Sequence, residues 1–208
     1  MEPAEEFESP ELLNALELEK KTGFEEIICQ PEKRQLVDFW RWAYSDLVGN
    51  TERGCLAEYL VALACNIDDK VRVGWDAYDL KLEDGTKIEV KSSGYIQTWK
   101  QKRFTKPMFG ISETRAWDYR ENVYDKEKKR QADVYVFALL AHKVQSTLNP
   151  LNTSQWEFYV LATPQLSDYK RSRHSINIKD LQAMAQPVTF EKLKNEIVVK
   201  HKTFSLTM

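Results

Sequence analysis

The sequence predicts a mixed α/β domain in which a mixed β-sheet is flanked by helices. Three features predict it: apolar residues at helical spacing in the first third of the chain, a hairpin signal around Gly85, and a continuous apolar run over residues 132–140. Amphipathic spacing indicates helices, two extended runs around a short turn indicate paired strands, and an unbroken apolar run is typical of a central strand. The order of helix, hairpin, strands and further short helices gives the α/β class.

Three helices are predicted before the hairpin. Residues 10–21 form a short helix, and residues 31–48 form a second one, because their apolar side chains recur at helical spacing. Those side chains are Leu36, Phe39, Trp40, Ala43 and Leu47. Asn50 is the predicted N-cap of a third helix that runs to Cys65.

Strands dominate the middle of the chain. Residues 71–82 and 86–92 flank the turn sequence Glu83-Asp84-Gly85 and form the predicted hairpin. Residues 132–140 and 156–161 are two further strands. The last third alternates short strands and helices over residues 175–178, 179–184 and 190–196.

Composition excludes several protein classes. A hydrophobic share of 42% with six Trp is incompatible with a disordered chain. The N-terminus lacks the basic and apolar regions of a secretory signal, and the longest apolar run, residues 134–141, is far shorter than the about 20 residues of a membrane span. The three cysteines fit neither an even disulfide set nor a zinc pattern. We therefore expect a cytoplasmic protein with reduced thiols and no membrane partner.

The net charge of −2 hides an uneven distribution. Residues 1–40 carry 11 acidic and 4 basic side chains, a balance of −7, whereas the rest carries 21 acidic and 26 basic, a balance of +5. The segment 91–112 contains five cations and no acidic residue. The near-neutral total therefore does not exclude a nucleic-acid partner, although such proteins often look basic overall.

The hairpin separates an apolar face from a charged face. A three-residue loop ending in a left-handed Gly pairs Leu80 with Ile88 and places Asp79 opposite Glu89. Leu80, Leu82, Ile88 and Val90 then share the core face, while Asp79, Glu89 and Lys91 share the other. Two facing carboxylates repel, and a Mg²⁺ ion, which prefers carboxylate oxygens, removes that cost. Lys91 projects to the same side, where it could stabilise a reacting phosphate or orient a water molecule. An ordinary solvated hairpin face is the alternative.

Glu58 is the third candidate carboxylate. On the helix 50–65 it shares a face with small side chains within about 60° of its own direction. They are Thr51, Gly54, Cys55, Ala62 and Cys65. A face of this kind can pack close to another element, which distinguishes Glu58 from Glu52; a surface Glu is the alternative.

These elements together resemble the PD-(D/E)xK nuclease superfamily, which has the restriction-endonuclease-like fold. The residues are Gly54-Cys55-Leu56-Ala57-Glu58 on a helix, Tyr78-Asp79-Leu80 in a strand, and Ile88-Glu89-Val90-Lys91 in the next. The family pattern is a helical Glu, a strand Asp and an E-x-K tripeptide on the second strand of the hairpin, and the resemblance covers about residues 50–140. Tyr78 stands where the name-giving Pro would be. Asp76 is the rival to Asp79 if the turn has two residues.

The resemblance implies a restriction-endonuclease-like core over residues 49–208, preceded by a helical extension over residues 1–48. It implies Mg²⁺-dependent phosphodiester hydrolysis in DNA, of the restriction, defence or repair type, with Mn²⁺ as an alternative ion and RNA still open as substrate. Asp79 and Glu89, with the Val90 carbonyl, would hold the ion, and Glu58 would ligate it directly or through water. Lys91 would deprotonate or position the attacking water. Many enzymes of this fold act as dimers, so a homodimer is also open.

The segment after Lys91 is the predicted nucleic-acid surface. Cations neutralise phosphates, and aromatic side chains stack on bases. The candidate contacts are Gln97, Trp99, Lys100, Lys102, Arg103 and Lys106. Gln97 also resembles a Gln that follows the E-x-K in some nuclease branches. Residues 126–130 and 170–174 are two further basic clusters.

Three alternatives to a nuclease stay open. The first is a catalytically silent nucleic-acid-binding protein of the same fold. The second is a glycosidase that uses a carboxylate pair, although Lys91 and the basic surroundings fit a phosphodiester better. The third is an interaction domain whose acidic arm binds a partner.

Overall fold

The structure, a computed structural model, describes residues 15–28 and 32–205. The helices are α1 (Leu36–Ala43), α2 (Asn50–Cys65), α3 (Thr163–Asp168), α4 (Ile178–Met184) and α5 (Phe190–Ser205). The strands are β1 (Glu26–Ile27), β2 (Arg34–Gln35), β3 (Leu80–Lys81), β4 (Lys87–Gly94), β5 (Met108–Gly110), β6 (Trp117–Asp118), β7 (Val123–Tyr124), β8 (Val134–Leu140), β9 (Trp156–Ala162) and β10 (Ser175–Asn177). The predicted mixed α/β class, with a mixed sheet flanked by helices, is confirmed.

A four-stranded sheet in the order β3-β4-β8-β9 forms the centre of the molecule. β4 and β8 run parallel, and the two outer pairings are antiparallel. Every residue of β8 is buried, because helices or loops cover both of its faces. The apolar run over residues 132–140 was thus correctly predicted to form a central strand.

Each face of the sheet carries its own apolar core. On one face α2 packs against β4, and α5 packs against both α2 and β9. This core includes Ala57, Ile88, Val136 and Ile197. The other face is covered by α3, α4 and the ribbon of β5 and β10. Its core includes Phe109, Phe137, Tyr159 and Leu181.

Helix α2 has the predicted bounds and carries Glu58. Asn50 is its first residue, so the N-cap is Gly49 rather than Asn50. The helix ends where Asn66 adopts a left-handed conformation, with a φ of 60° and a ψ of 45°. Ala57 and Val61 are fully buried in the core between α2 and the sheet, which fixes the orientation of the helix and therefore the direction in which Glu58 points.

The N-terminal segment differs from the prediction. Residues 15–21 of the predicted first helix are not helical, and residues 10–14 lie outside the described part of the chain, as does Cys29. The second helix begins only at Leu36, because Gln35 pairs with Glu26 in the short β1–β2 ribbon. The Gln35 N–H also donates to Asp38 Oδ2 at 3.0 Å, which stabilises the helix start there. A ribbon followed by one short helix therefore occupies part of the predicted helical extension.

The first hairpin strand is also much shorter than predicted. Of residues 71–82, only Leu80 and Lys81 form a strand, and the preceding residues form a loop. Arg72 of this loop binds Glu58 of α2, whereas Tyr78 packs against the core on the other face of the sheet. Within the described ranges, no helix is long and apolar enough to cross a membrane.

Candidate functional site

A three-residue turn sets the register of the hairpin. The Leu82 N–H donates to the Thr86 carbonyl at 2.9 Å, and the Gly85 N–H donates to the Leu82 carbonyl at 3.0 Å. Gly85 has a φ of +92°, a conformation that L side chains rarely adopt. Leu80 pairs with Ile88, so the predicted register and its apolar face are confirmed.

Asp79 immediately precedes the paired residue Leu80, and its carboxylate lies near that of Glu89. The Asp79 N–H donates to the Ile88 carbonyl at 3.0 Å, and the Val90 N–H donates to Asp79 Oδ2 at 2.7 Å. Burial raises the pKa of Asp79 from 3.8 to about 7, and the negative charges of Glu89 and then Glu58 add to the rise. The hydrogen bond from Val90 opposes it. The three carboxylates are therefore close enough to repel one another.

Lys91 lies among these carboxylates. Its ammonium forms a salt bridge with Glu89, and about a third of its side chain is exposed. Burial lowers the pKa of Lys91, but the charges of Glu89, Asp79 and Glu58 raise it by more, so the net change is upward. The E-x-K tripeptide thus places a cation against one carboxylate of this pair.

Arg72 holds Glu58. Its Nε donates to Glu58 Oε2 at 2.5 Å and its Nη2 donates to Oε1 at 2.9 Å, which makes a two-pronged ion pair. The Glu58 side chain is 12% exposed, whereas that of Arg72 is half exposed. The hydrogen bonds to Glu58 raise the pKa of Arg72. Sequence reasoning missed Arg72, because a lone Arg in a loop carries no motif.

The small-residue face around Glu58 packs closely only at one end. Ala62 and Cys65 are buried against the core, as the prediction required. A Cβ on Gly54 would meet nothing within 4 Å, so no element approaches the helix there. The expectation of close packing is wrong for this first turn.

Asp76, the rival carboxylate, lies in the loop before β3. Burial raises its pKa, and the nearby charge of Arg120 lowers it. With the three-residue turn, Asp79 rather than Asp76 adjoins the Leu80–Ile88 pair and lies near Glu89.

The donor chemistry of the site fits a hard divalent cation, but its present arrangement does not complete a site. Three carboxylates share one neighbourhood, where burial and then the charges of Glu89 and Glu58 raise the pKa of Asp79. Glu58 is bound by Arg72, and Glu89 by Lys91. Among the residues the structure describes, no group of three or more His, Cys, Asp or Glu side chains is arranged to hold a metal ion. An ion there would have to draw Glu58 away from Arg72.

A groove of about 430 Å³ opens onto this cluster. Its lining includes Glu58, Arg72 and Asp79, together with Tyr119 and Arg120. Glu89 and Lys91 are not part of its lining. Of the three carboxylates, the groove therefore exposes Glu58 and Asp79 but not Glu89.

The predicted nucleic-acid segment forms an exposed loop after β4. The Thr105 N–H donates to the Tyr95 carbonyl at 2.9 Å and closes the loop. The side chain of Gln101 stabilises the loop, because its Nε2 donates to the Tyr95 carbonyl at 3.2 Å and to Thr105 Oγ1 at 3.0 Å. Sequence reasoning missed this residue. Most of the predicted contacts are exposed along this loop: Trp99, Lys100, Lys102, Arg103 and Lys106.

Gln97 departs from the prediction. It is 5% exposed, its Nε2 donates to the Gly94 carbonyl at 3.1 Å, and its Oε1 accepts from Arg53 Nη1 at 3.5 Å. These contacts tie the end of β4 to the start of α2. Its burial argues against a contact with nucleic acid and for a structural role.

The two other basic clusters are partly neutralised within the chain. Lys129 pairs with Asp125 at 3.9 Å, and the largely buried Arg130 pairs with Glu113 at 3.3 Å. Arg171 forms a salt bridge with Asp180. The loop after β4 therefore has the stronger case as a cationic surface.

No family model matches the chain, and neither a curated protein nor a solved structure is significantly similar to it.

Proposed function

We propose that the chain is a Mg²⁺-dependent nuclease with a restriction-endonuclease-like core that hydrolyses phosphodiester bonds in DNA. The observation that carries the proposal is the hairpin, which brings Asp79 close to Glu89 and pairs the ammonium of Lys91 with Glu89. Glu58 adds a third carboxylate from the adjacent helix, near enough to raise the pKa of Asp79.

The crowding of these carboxylates supports a cation as their partner. Burying charged groups without compensation costs free energy, and the raised pKa of Asp79 reports that cost. If Asp79 and Glu89 had only a structural role, a neutral or apolar pair of side chains at these positions would give a more stable protein. The exposed cations of the loop after β4 supply a surface suited to phosphates.

In the proposed mechanism Asp79 and Glu89, with the Val90 carbonyl, would hold the ion, and Glu58 would bind it directly or through water. A bound Mg²⁺ would lower the pKa of a water molecule and neutralise charge on the phosphate. Lys91 donates hydrogen bonds from its ammonium to position the water or the phosphate. Arg72, released from Glu58, is free to bind a phosphate oxygen in the groove.

One observation favours the second candidate, a catalytically silent nucleic-acid-binding protein of the same fold. Arg72 binds both oxygens of Glu58. If this ion pair is permanent, Glu58 is not available as a metal ligand. The two candidates differ in a measurable way, since only the nuclease requires Arg72 to leave Glu58 when Mg²⁺ is added.

The test is a cleavage assay with the purified full chain. Plasmid, linear, single-stranded and branched DNA, and RNA, are incubated with Mg²⁺ or Mn²⁺ and, in parallel, with EDTA. We expect metal-dependent cleavage that is lost in Glu89→Gln and Lys91→Ala. Glu83→Gln is the matched control, because Glu83 is an exposed carboxylate in the turn of the same hairpin.

Each outcome separates the candidates. Cleavage that persists equally in Lys91→Ala and Glu89→Gln would contradict the site assignment. Binding of nucleic acid with no cleavage in either metal would favour the silent protein. Loss of activity in Glu83→Gln as well would show that the hairpin had lost its fold.

A further inference from the structure

An aromatic pocket lies beside the candidate site. It has a volume of about 930 Å³ and is built around the β6–β7 hairpin, with Tyr78 and Lys81 on its other side. Val123 and Tyr124 of this hairpin are 59% and 64% exposed. Large apolar side chains exposed together, with charged groups around them, are typical of a binding surface.

The rings of this pocket hold one another in fixed orientations. Trp117 and Tyr124 lie nearly parallel, with ring centroids 6.1 Å apart and an interplanar angle of 25°. Trp75 meets Trp117 edge-on at 5.7 Å, and Trp117 Nε1 donates to Asn122 Oδ1 at 3.3 Å. The Trp117 ring is thus fixed from two sides, and Tyr124 presents an aromatic face to the pocket. A flat ligand can stack there without the pocket first having to form.

The pocket is continuous with the groove that holds Glu58 and Asp79. The two share five lining residues: Asp76, Tyr78, Lys81, Tyr119 and Arg120. A polymer strand whose phosphate enters the groove therefore brings its neighbouring unit into the aromatic pocket.

The charged residues of the pocket lining are mixed: Lys81 and Arg120 are basic, and Asp76, Asp118, Glu121 and Asp125 are acidic. The Asp118 Oδ1 already accepts the N–H groups of Arg120 and Glu121, at 2.9 and 3.2 Å. Asp125 is paired with Lys129 at 3.9 Å. Two of these four acidic side chains thus have partners within the protein, and Arg120 lies at the junction with the groove, where a phosphate would pass.

We propose that this pocket stacks an unpaired base of the nucleic-acid substrate, so that the substrate class is a single strand or a locally unpaired strand. The inference rests on the proposed function for the position of the scissile phosphate, but the stacking itself does not require cleavage. A base within a duplex is covered on both faces by its neighbours and cannot offer one to Tyr124 without leaving the stack.

The test measures binding in EDTA, where no metal-dependent cleavage takes place. A fluorescently labelled single-stranded oligonucleotide and its duplex are titrated with the full chain, and anisotropy is recorded. Removing one base–aromatic stack costs about 1–3 kcal/mol, so Tyr124→Leu should weaken single-strand binding by about 5- to 150-fold. Tyr124→Phe, which keeps the ring, should retain most of the affinity, and duplex binding should change little in either variant.

Two controls keep the result interpretable. Tyr44→Ala removes a ring that is 47% exposed and lines neither the pocket nor the groove, so it should leave binding unchanged. Thermal unfolding of Tyr124→Leu shows whether the variant is folded, and Trp117→Phe provides a second variant on the neighbouring ring.

The outcomes for stacking and for hydrolysis are distinct. Single-strand binding that depends on Tyr124, without cleavage in any metal, would leave the stacking inference standing and overturn the nuclease proposal. Cleavage with equal single-strand affinity in wild type and Tyr124→Leu would overturn the stacking inference alone. Binding of oligolysine in place of the oligonucleotide, lost in Tyr124→Leu, would show that the pocket takes a cationic peptide and would also overturn it.

Discussion

Replacing Asp79 by Asn should stabilise the metal-free protein at alkaline pH. The substitution removes a crowded charge but keeps an oxygen in the position of Oδ2, which accepts from the Val90 N–H at 2.7 Å. The rise in the pKa of Asp79 from 3.8 to about 7 corresponds to about 4 kcal/mol of unfavourable free energy on the ionised carboxylate. Because the side chain keeps some contact with water, we expect about half of this, ~2 kcal/mol, to be recovered.

The sign of the pH dependence follows from the raised pKa. Between about pH 4 and pH 7 the native protein holds a proton on Asp79 that the unfolded chain has lost, so the wild type loses stability as the pH rises through this window. The advantage of Asp79→Asn should therefore be near zero at about pH 4, grow towards pH 7 and stay constant above it. For a chain of this size, ~2 kcal/mol corresponds to a rise in Tm of about 4–8 °C.

The assay is urea unfolding in EDTA, followed by Trp fluorescence at several pH values. Asp84→Asn is the matched control on the same hairpin, because hydrogen bonds from Thr86 lower the pKa of Asp84 and its charge is favourable in the native state. That variant should lose stability at neutral pH. A lower free energy of unfolding for Asp79→Asn at about pH 8 would refute the view that the neighbouring carboxylates repel. Added Mg²⁺ should stabilise the wild type and not Asp79→Asn.

Three further predictions follow from other contacts. Arg72→Ala should bind Mg²⁺ more tightly than the wild type in isothermal titration calorimetry, because the ion no longer competes with Arg72 for Glu58; unchanged or weaker binding would contradict that competition. Gln101→Ala should weaken DNA binding in anisotropy titrations and increase proteolysis within the loop after β4, whose inner hydrogen bonds it removes; an unchanged digestion pattern would argue against this role. Burial raises the pKa of the Cys65 thiol to about 11, so Ellman's reagent should modify it in urea but hardly in the native protein at neutral pH, as mass spectrometry of the labelled peptides would show; rapid native labelling would contradict its burial.

Local patterns predicted the centre of the fold well. Both β8 and α2 formed where expected. Their patterns, an unbroken apolar run in β8 and small and apolar residues at helical spacing in α2, follow from backbone geometry alone. The hairpin register also followed from local chemistry, since Gly85 can adopt the left-handed conformation that the turn requires. The prediction was weaker where a segment lacks a strong period, as in residues 71–79.

The site was predictable to the extent that it depends on this register. Asp79 and Glu89 lie close together on one side of the hairpin because side chains alternate along strands, and the sequence contains that information. The partner of Glu58 was not predictable, because Arg72 reaches it from an irregular loop whose path depends on packing against α2. Gln97 was read as a surface residue, because no local pattern shows that the chain folds over its side chain.

Turn chemistry and strand alternation act over a few residues, so the local sequence was enough to predict the α/β class, the two-faced hairpin and the grouping of Asp79, Glu89 and Lys91. The sequence did not predict that Arg72 binds Glu58, that Gln97 is buried, or that an aromatic pocket adjoins the groove. These features depend on contacts between loops distant along the chain. Their geometry is set by how the helices and the sheet pack, which no local periodicity records.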